Sequence, residues 1–143
     1  MTRINVVPVE ELCDQHLFAE FRELTRIPNG ILAGKLKTDY SDRPTDYTLG
    51  KGHVKFFTDK LDWLFDRYNE LYWEFRHRNY NVVFVWPSDN ALTVGWFNYH
   101  PTHKALSINK ARILERMPIK ARWTNRKPPI WVKHVSHTST QSR

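Results

Sequence analysis

A chain of 143 residues with 41% hydrophobic content can bury one compact core and leaves little room for a second. Its net charge of +7 and pI of about 9.7 favour a polyanionic partner over a basic one. A single cysteine, Cys13, excludes an intramolecular disulfide, and no run approaches the roughly 18 apolar residues of a membrane span.

The charge is unevenly spread. Residues 1–101 hold 12 Lys/Arg against 14 Asp/Glu, whereas residues 102–143 hold 10 against 1. This predicts one cationic face suited to nucleic acid rather than a uniformly basic surface, with a solubilising tail as the plainer alternative. With no charged-then-apolar leader at its start, the chain is expected to be soluble and cytoplasmic.

Met1 precedes a small residue, so processing is expected to expose the α-amine of Thr2. Such an amine has a reference pKa near 8, against about 10.4 for lysine, and is therefore partly nucleophilic at neutral pH. Arg3 beside it lowers that value further, because a nearby cation disfavours protonation. Residues 4–9 read as an extended lead into a helix over 9–26. In that helix Cys13, Leu17, Phe21 and Leu24 share the core face. Gln15, Ala19, Arg22 and Arg26 lie opposite them, with Glu23 at the edge of this cationic stripe. Pro28 disfavours helical geometry at Ile27, and Asn29-Gly30 adds a turn signal, although a kinked continuation over 31–36 is compatible.

Residues 37–50 are polar and rich in breakers, hence loop. Gly50-Lys51-Gly52-His53 lacks the ending and preceding strand of a phosphate loop and reads as a tight turn. Residues 59–78 carry the clearest helical pattern, with Leu61, Leu64, Phe65, Tyr68, Leu71, Tyr72 and Phe75 inward. Asp62, Asp66, Glu70, Glu74 and Arg78 read as outward. Residues 82–97 resemble a hairpin locally and are treated as loop with short strands. Thr102 is a plausible N-cap for a helix over 102–117, ended by Pro118, with Leu106, Ile113 and Met117 inward. Arg112 and Arg116, four apart, project together. Residues 118–133 are irregular and basic, and 134–143 read as a disordered tail to a single domain over 1–133.

The seven histidines include His100-x-x-His103 and His134-x-x-His137. Neither pair has a carboxylate cluster beside it, and zinc needs three or four convergent ligands, so no metal is expected.

Several stretches resemble the pyrimidine-dimer DNA glycosylase/AP lyase family of the T-even phage endonuclease V type. They are Thr2-Arg3-Ile4-Asn5, Asp14-Gln15-His16-Leu17, Ala19-Glu20-Phe21-Arg22-Glu23-Leu24, Gly50-Lys51-Gly52-His53-Val54, Phe56-Phe57, Asp59-Lys60-Leu61 and Ala111-Arg112. Each is short; their order and spacing from residue 2 to about 123 carry the resemblance. It implies an all-α domain of three main helices with long irregular loops, a monomer working without metal or organic cofactor.

The resemblance further implies that Thr2 attacks C1′ of the deoxyribose at a pyrimidine dimer or abasic site in double-stranded DNA, with Glu23 as its carboxylate partner. Arg3, Gln15, His16, Arg22, Arg26, Arg112, Arg116 and Trp123 would contact the DNA, whose base opposite the lesion swings out. The chain departs from the family pattern after Trp123, where Thr124-Asn125-Arg126-Lys127-Pro128-Pro129 follows, and again in 82–97. Two alternatives therefore stand beside it: an AP lyase that excises dimers poorly, and a basic DNA-binding protein without catalysis.

Overall fold

Two helices pack together at the centre of the molecule, each presenting a stripe of large apolar side chains to the other. In the computed structural model, which describes residues 3–87 and 99–132, these are α1 (Asp14–Leu24) and α4 (Leu61–His77). Leu17 and Leu24 of α1, and Leu61, Leu64, Tyr68, Leu71 and Phe75 of α4, are all inaccessible to solvent. Phe21 stacks on Tyr68 with ring centroids 4.5 Å apart, and Phe18 lies at the same distance from Phe75. Around this pair run α2 (Arg26–Leu32), α3 (His53–Phe57) and α5 (His103–Glu115). The described residues contain no strand, so the fold is all-α, with α1, α4 and α5 its three long helices.

The element boundaries differ from the sequence pattern in instructive ways. The expected helix over 9–26 is divided. Val9–Glu11 forms a single 3₁₀ turn, Leu12 and Cys13 are extended, and α1 begins at Asp14. The break arises because the Asp14 N–H donates to the carbonyl of Arg122, 2.6 Å away, instead of to the preceding turn. At the other end Ile27 is helical despite Pro28. The proline sits in the first turn of a new helix, α2, where its missing N–H would have had no partner, and both residues are buried.

Gly50-Lys51-Gly52 is a tight turn as the sequence indicates, with φ of 67° at Gly50 and 92° at Gly52. A Cβ at Gly52 would stand 2.9 Å from Pro44 Cγ, so that position needs glycine on two counts. The turn launches α3, a helix that the pattern of residues does not announce. For α5 the expected cap is present: Thr102 Oγ1 accepts from the Ala105 N–H at 3.0 Å. Ile113 is buried, Leu106 and Met117 are half-buried, and Ala105 and Asn109 join the interior. Residues 82–87 form no ladder; they lie across α4, with Phe84 and Trp86 packed on Tyr68 and Phe65. Most of the expected hairpin and the 134–143 tail lie outside the described residues.

Glu74 and Arg78, which read as outward on α4, are buried. Arg78 donates to Glu74 (2.8 Å) and Asp14 (2.8 Å), and Arg126 grips Glu74 through two bonds of 2.8 Å. Burial alone would raise the Asp14 carboxyl, but hydrogen bonds from Thr124, Arg78 and Tyr80 outweigh it and hold its pKa below the ordinary value. This chain of ions ties the segment after α5 back onto α1 and α4, so part of the basic C-terminal third is structural.

Candidate active site

Residues 3–7 belong to no helix or strand, so their backbone polar groups must find partners among side chains. They do so from every direction. The Arg3 N–H donates to Glu23 Oε1 on α1 at 3.1 Å. The Ile4 N–H donates to His53 Nε2 on α3 at 2.8 Å, and the Ile4 carbonyl accepts from the Tyr47 hydroxyl at 2.9 Å. Asn109 Oδ1 on α5 accepts from both Val6 N–H (2.7 Å) and Val7 N–H (3.1 Å). The Val7 carbonyl accepts from Arg67 on α4 at 2.7 Å.

Side chains close a second ring beneath the first. Asn5 donates to Glu20 (2.9 Å) and accepts from Asn109 (2.8 Å), while Arg67 binds Glu20 through Nε (2.7 Å) and Nη2 (3.0 Å). Glu20 is 1% exposed and Arg67 3%, so this is a buried ion pair whose polar atoms are satisfied by the arm. The three long helices and α3 thus converge on five residues of the chain's beginning.

Where this arm meets α1 and α5 lies a recess of about 170 Å³ lined by Arg3, Asn5, His16, Ala19, Glu20, Glu23 and Ile113. Arg3 lines it, and Arg112 and Arg116 act electrostatically on Arg3. Burial lowers the Arg3 pKa, and repulsion from Arg112 and then Arg116 lowers it further. One carboxylate, Glu115, serves both α5 arginines, at 3.0 Å from Arg112 and 3.7 Å from Arg116. His16 Nε2 lies 3.2 Å from the Arg116 carbonyl, so it carries the proton there, and burial holds the ring below the usual histidine pKa. His16 Nδ1 and Arg112 Nε are buried without a partner among the described residues.

The expected site residues that are described therefore fall into three groups. Arg3, His16 and Glu23 line the recess, and Arg112 and Arg116 stand within electrostatic reach of Arg3. Arg22 and Arg26 are exposed on the end of α1 and the start of α2, outside its lining. Gln15 and Trp123 lie elsewhere. Gln15 is engaged at both ends, donating to the Lys120 carbonyl (2.8 Å) and accepting from Arg122 N–H (3.0 Å), and Trp123 is half-buried in the loop that follows. Thr2 lies outside the described residues. Asn5 and Glu20 belong to the wall although nothing in composition or spacing marks them beyond the short motifs that contain them.

A model of the family described as pyrimidine dimer DNA glycosylase matches residues 1–87. The chain belongs to that family. The matched span contains the whole arm, α1 to α4, and the recess residues Arg3, Asn5, His16, Glu20 and Glu23. Arg112, Arg116 and Trp123 lie beyond it. Among the described residues no three His, Cys, Asp or Glu side chains converge as a metal site, and no helix is long and apolar enough to cross a membrane.

Proposed function

We propose that the chain acts, as a monomer and without metal or organic cofactor, as a bifunctional pyrimidine-dimer glycosylase and AP lyase on double-stranded DNA. The nucleophile is the α-amine of Thr2, freed by removal of Met1. The observation that carries this is the 3.1 Å bond from the Arg3 amide nitrogen to Glu23 at the mouth of the recess. An α-amine one residue before such a nitrogen lies no more than about 3.7 Å from it, whatever the intervening torsion. Covalent geometry therefore limits that amine to within roughly 7 Å of the carboxylate.

Arg3, Arg112 and Arg116 disfavour protonation of a nearby amine, which keeps it nucleophilic, while Glu23 opposes them. Attack on C1′ breaks the glycosidic bond, and the base departs with its bonding electrons. The amine gives up a proton, and the C1′–O4′ bond of the aminal then breaks, its electrons and a proton going to O4′, which opens the ring to a cationic imine at C1′ that the Glu23 carboxylate stabilises. Loss of a C2′ proton to a base, for which Glu23 is placed, expels the 3′ phosphate by β-elimination. Arg3, Arg22, Arg26, Arg112 and Arg116 hold the flanking phosphates, and Gln15, His16 and Trp123 border that track. Exposing C1′ requires the duplex to distort, with extrusion of the base opposite the lesion, which a poorly stacked dimer makes cheaper.

Incubation with borohydride and either abasic or UV-irradiated duplex tests this. Covalent trapping on both is the expected result. Trapping on abasic DNA alone would reduce the activity to that of an AP lyase, and trapping on neither would leave a DNA-binding protein.

A further inference from the structure

The chemistry above leaves the Gly50–His53 turn, a motif marked in the sequence, without a task. Its two positive-φ glycines, one of them tight against Pro44, bring the chain round so that α3 begins with an inward-facing imidazole. His53 is 2% exposed and spends both ring nitrogens on backbone. Nδ1 lies 2.7 Å from the Thr48 carbonyl, which can only accept, and Nε2 lies 2.8 Å from the Ile4 N–H, which can only donate. The ring is therefore neutral with its proton on Nδ1. Tyr47, six residues earlier and edge-on to the same ring at 5.5 Å, holds the Ile4 carbonyl. Tyr47 and His53 thus hold both backbone polar groups of Ile4, and with them the direction in which Arg3 leaves the core.

We infer that His53, as the Nδ1–H tautomer, is a positioning residue for the nucleophilic end of the chain. This rests on the proposed role of the Thr2 amine. Protonation at Nε2 would replace an acceptor by a donor facing the Ile4 N–H and would release the arm. The groups that face the ring are Arg3 on the arm, Glu20 on α1, Arg112 on α5 and the Tyr47 hydroxyl on its own loop. Burial and the two guanidiniums lower the His53 pKa, and the Thr48 carbonyl and Glu20 oppose them. Because the folded value lies below the unfolded value of about 6.5, the arrangement is fully favoured above that pH and is lost as pH falls beneath it.

The test compares the parent chain with His53→Leu, His53→Gln and Tyr47→Phe. Single-turnover trapping on abasic duplex is followed from pH 5 to 8, alongside affinity for duplex bearing a reduced, uncleavable abasic site. His53→Leu is expected to slow trapping about 100-fold at pH 7.5, the scale of a misplacement near 1 Å, with affinity changed less than about threefold. His53→Gln, whose amide can accept from Ile4 and donate to Thr48 without titrating, is expected to recover most of the rate. It should also lose the part of the acid limb that belongs to His53, His16 being untouched. Tyr47→Phe should slow trapping in the same direction by less. Parent-like trapping by His53→Leu, or an unchanged acid limb in His53→Gln, would overturn the inference. So would a loss of rate in folded His53→Gln as large as in His53→Leu. If His53→Leu does not fold, the pH profile of His53→Gln decides. Failure of the parent chain to trap would instead remove the Thr2 chemistry itself.

Discussion

Glu23→Gln is expected to lower strand cleavage about 1,000-fold while leaving affinity for uncleavable abasic duplex within a few-fold of the parent. The substitution separates two things that Glu23 does. Its Oε1 accepts the Arg3 N–H, and a glutamine carbonyl can accept the same bond, so the arm keeps its anchor. What disappears is negative charge beside the cationic sugar and imine, and the ability to take a proton from C2′. Loss of one such electrostatic partner costs on the order of 100- to 1,000-fold, and loss of a positioned base on the order of 100- to 10,000-fold. A Glu23→Ala variant would confuse these effects by also freeing the arm. Steady-state and single-turnover cleavage on both substrates is the measurement; cleavage at the parent rate by Glu23→Gln would remove Glu23 from the chemistry.

The largest effect on stability is expected from Arg67→Met. The methionine fills most of the same volume but leaves Glu20 buried with only Asn5 as a donor, and leaves the Val7 carbonyl without its 2.7 Å partner. Breaking one side of a buried ion pair typically costs about 3–5 kcal/mol, because the remaining charge is stranded rather than because the pair itself was strong. For a domain of this size that corresponds to a fall in Tm of roughly 10 °C or more. Converting Glu20 as well, in Glu20→Leu/Arg67→Met, is expected to restore much of the stability, since two apolar side chains need no partners. Activity should not recover with it, because Val7 and Asn5 lose the contacts that seat the arm. Thermal unfolding of the parent and the two variants decides the matter; an Arg67→Met chain as stable as the parent would mean that Glu20 is not held there as a stranded charge.

How much of this was legible in the residues alone follows from what periodicity can and cannot see. The apolar stripes of α1 and α4, the Thr102 cap and the Gly50–Gly52 turn are local patterns, and each is present. Glu74 and Arg78 look like a solvated face because a helical wheel carries no information about partners, and nothing in the periodicity marks Glu20 or Arg67 as buried. Each is buried only because a guanidinium or carboxylate from a segment far along the chain arrives to pair with it. His53 and Asn109 are likewise invisible until the arm is laid across them. Pro28 misleads because its cost to a helix falls mainly on helix interiors, and here it sits in the first turn of α2, where its missing N–H has no intrahelical partner to lose. The basic excess of the last third is real, yet Arg126 spends its charge on Glu74 and the Lys120 and Arg122 backbones serve Gln15. For the site, charge and motif pointed to Arg3, Glu23, Arg112 and Arg116, which the fold gathers, and to Gln15, which it uses for packing. The wall residues Asn5 and Glu20 are the cost of holding an unpaired extended arm, and only the assembled helices reveal them.

The most direct measurement is the point of attachment in the borohydride-reduced complex. After trapping on abasic duplex, nuclease trimming and proteolysis, mass spectrometry of the peptides should find the sugar remnant on the α-nitrogen of Thr2, with Met1 gone, and Thr2→Pro should trap far more slowly. A remnant on a lysine side chain, or on no peptide at all, would contradict an arm built to deliver that amine to Glu23.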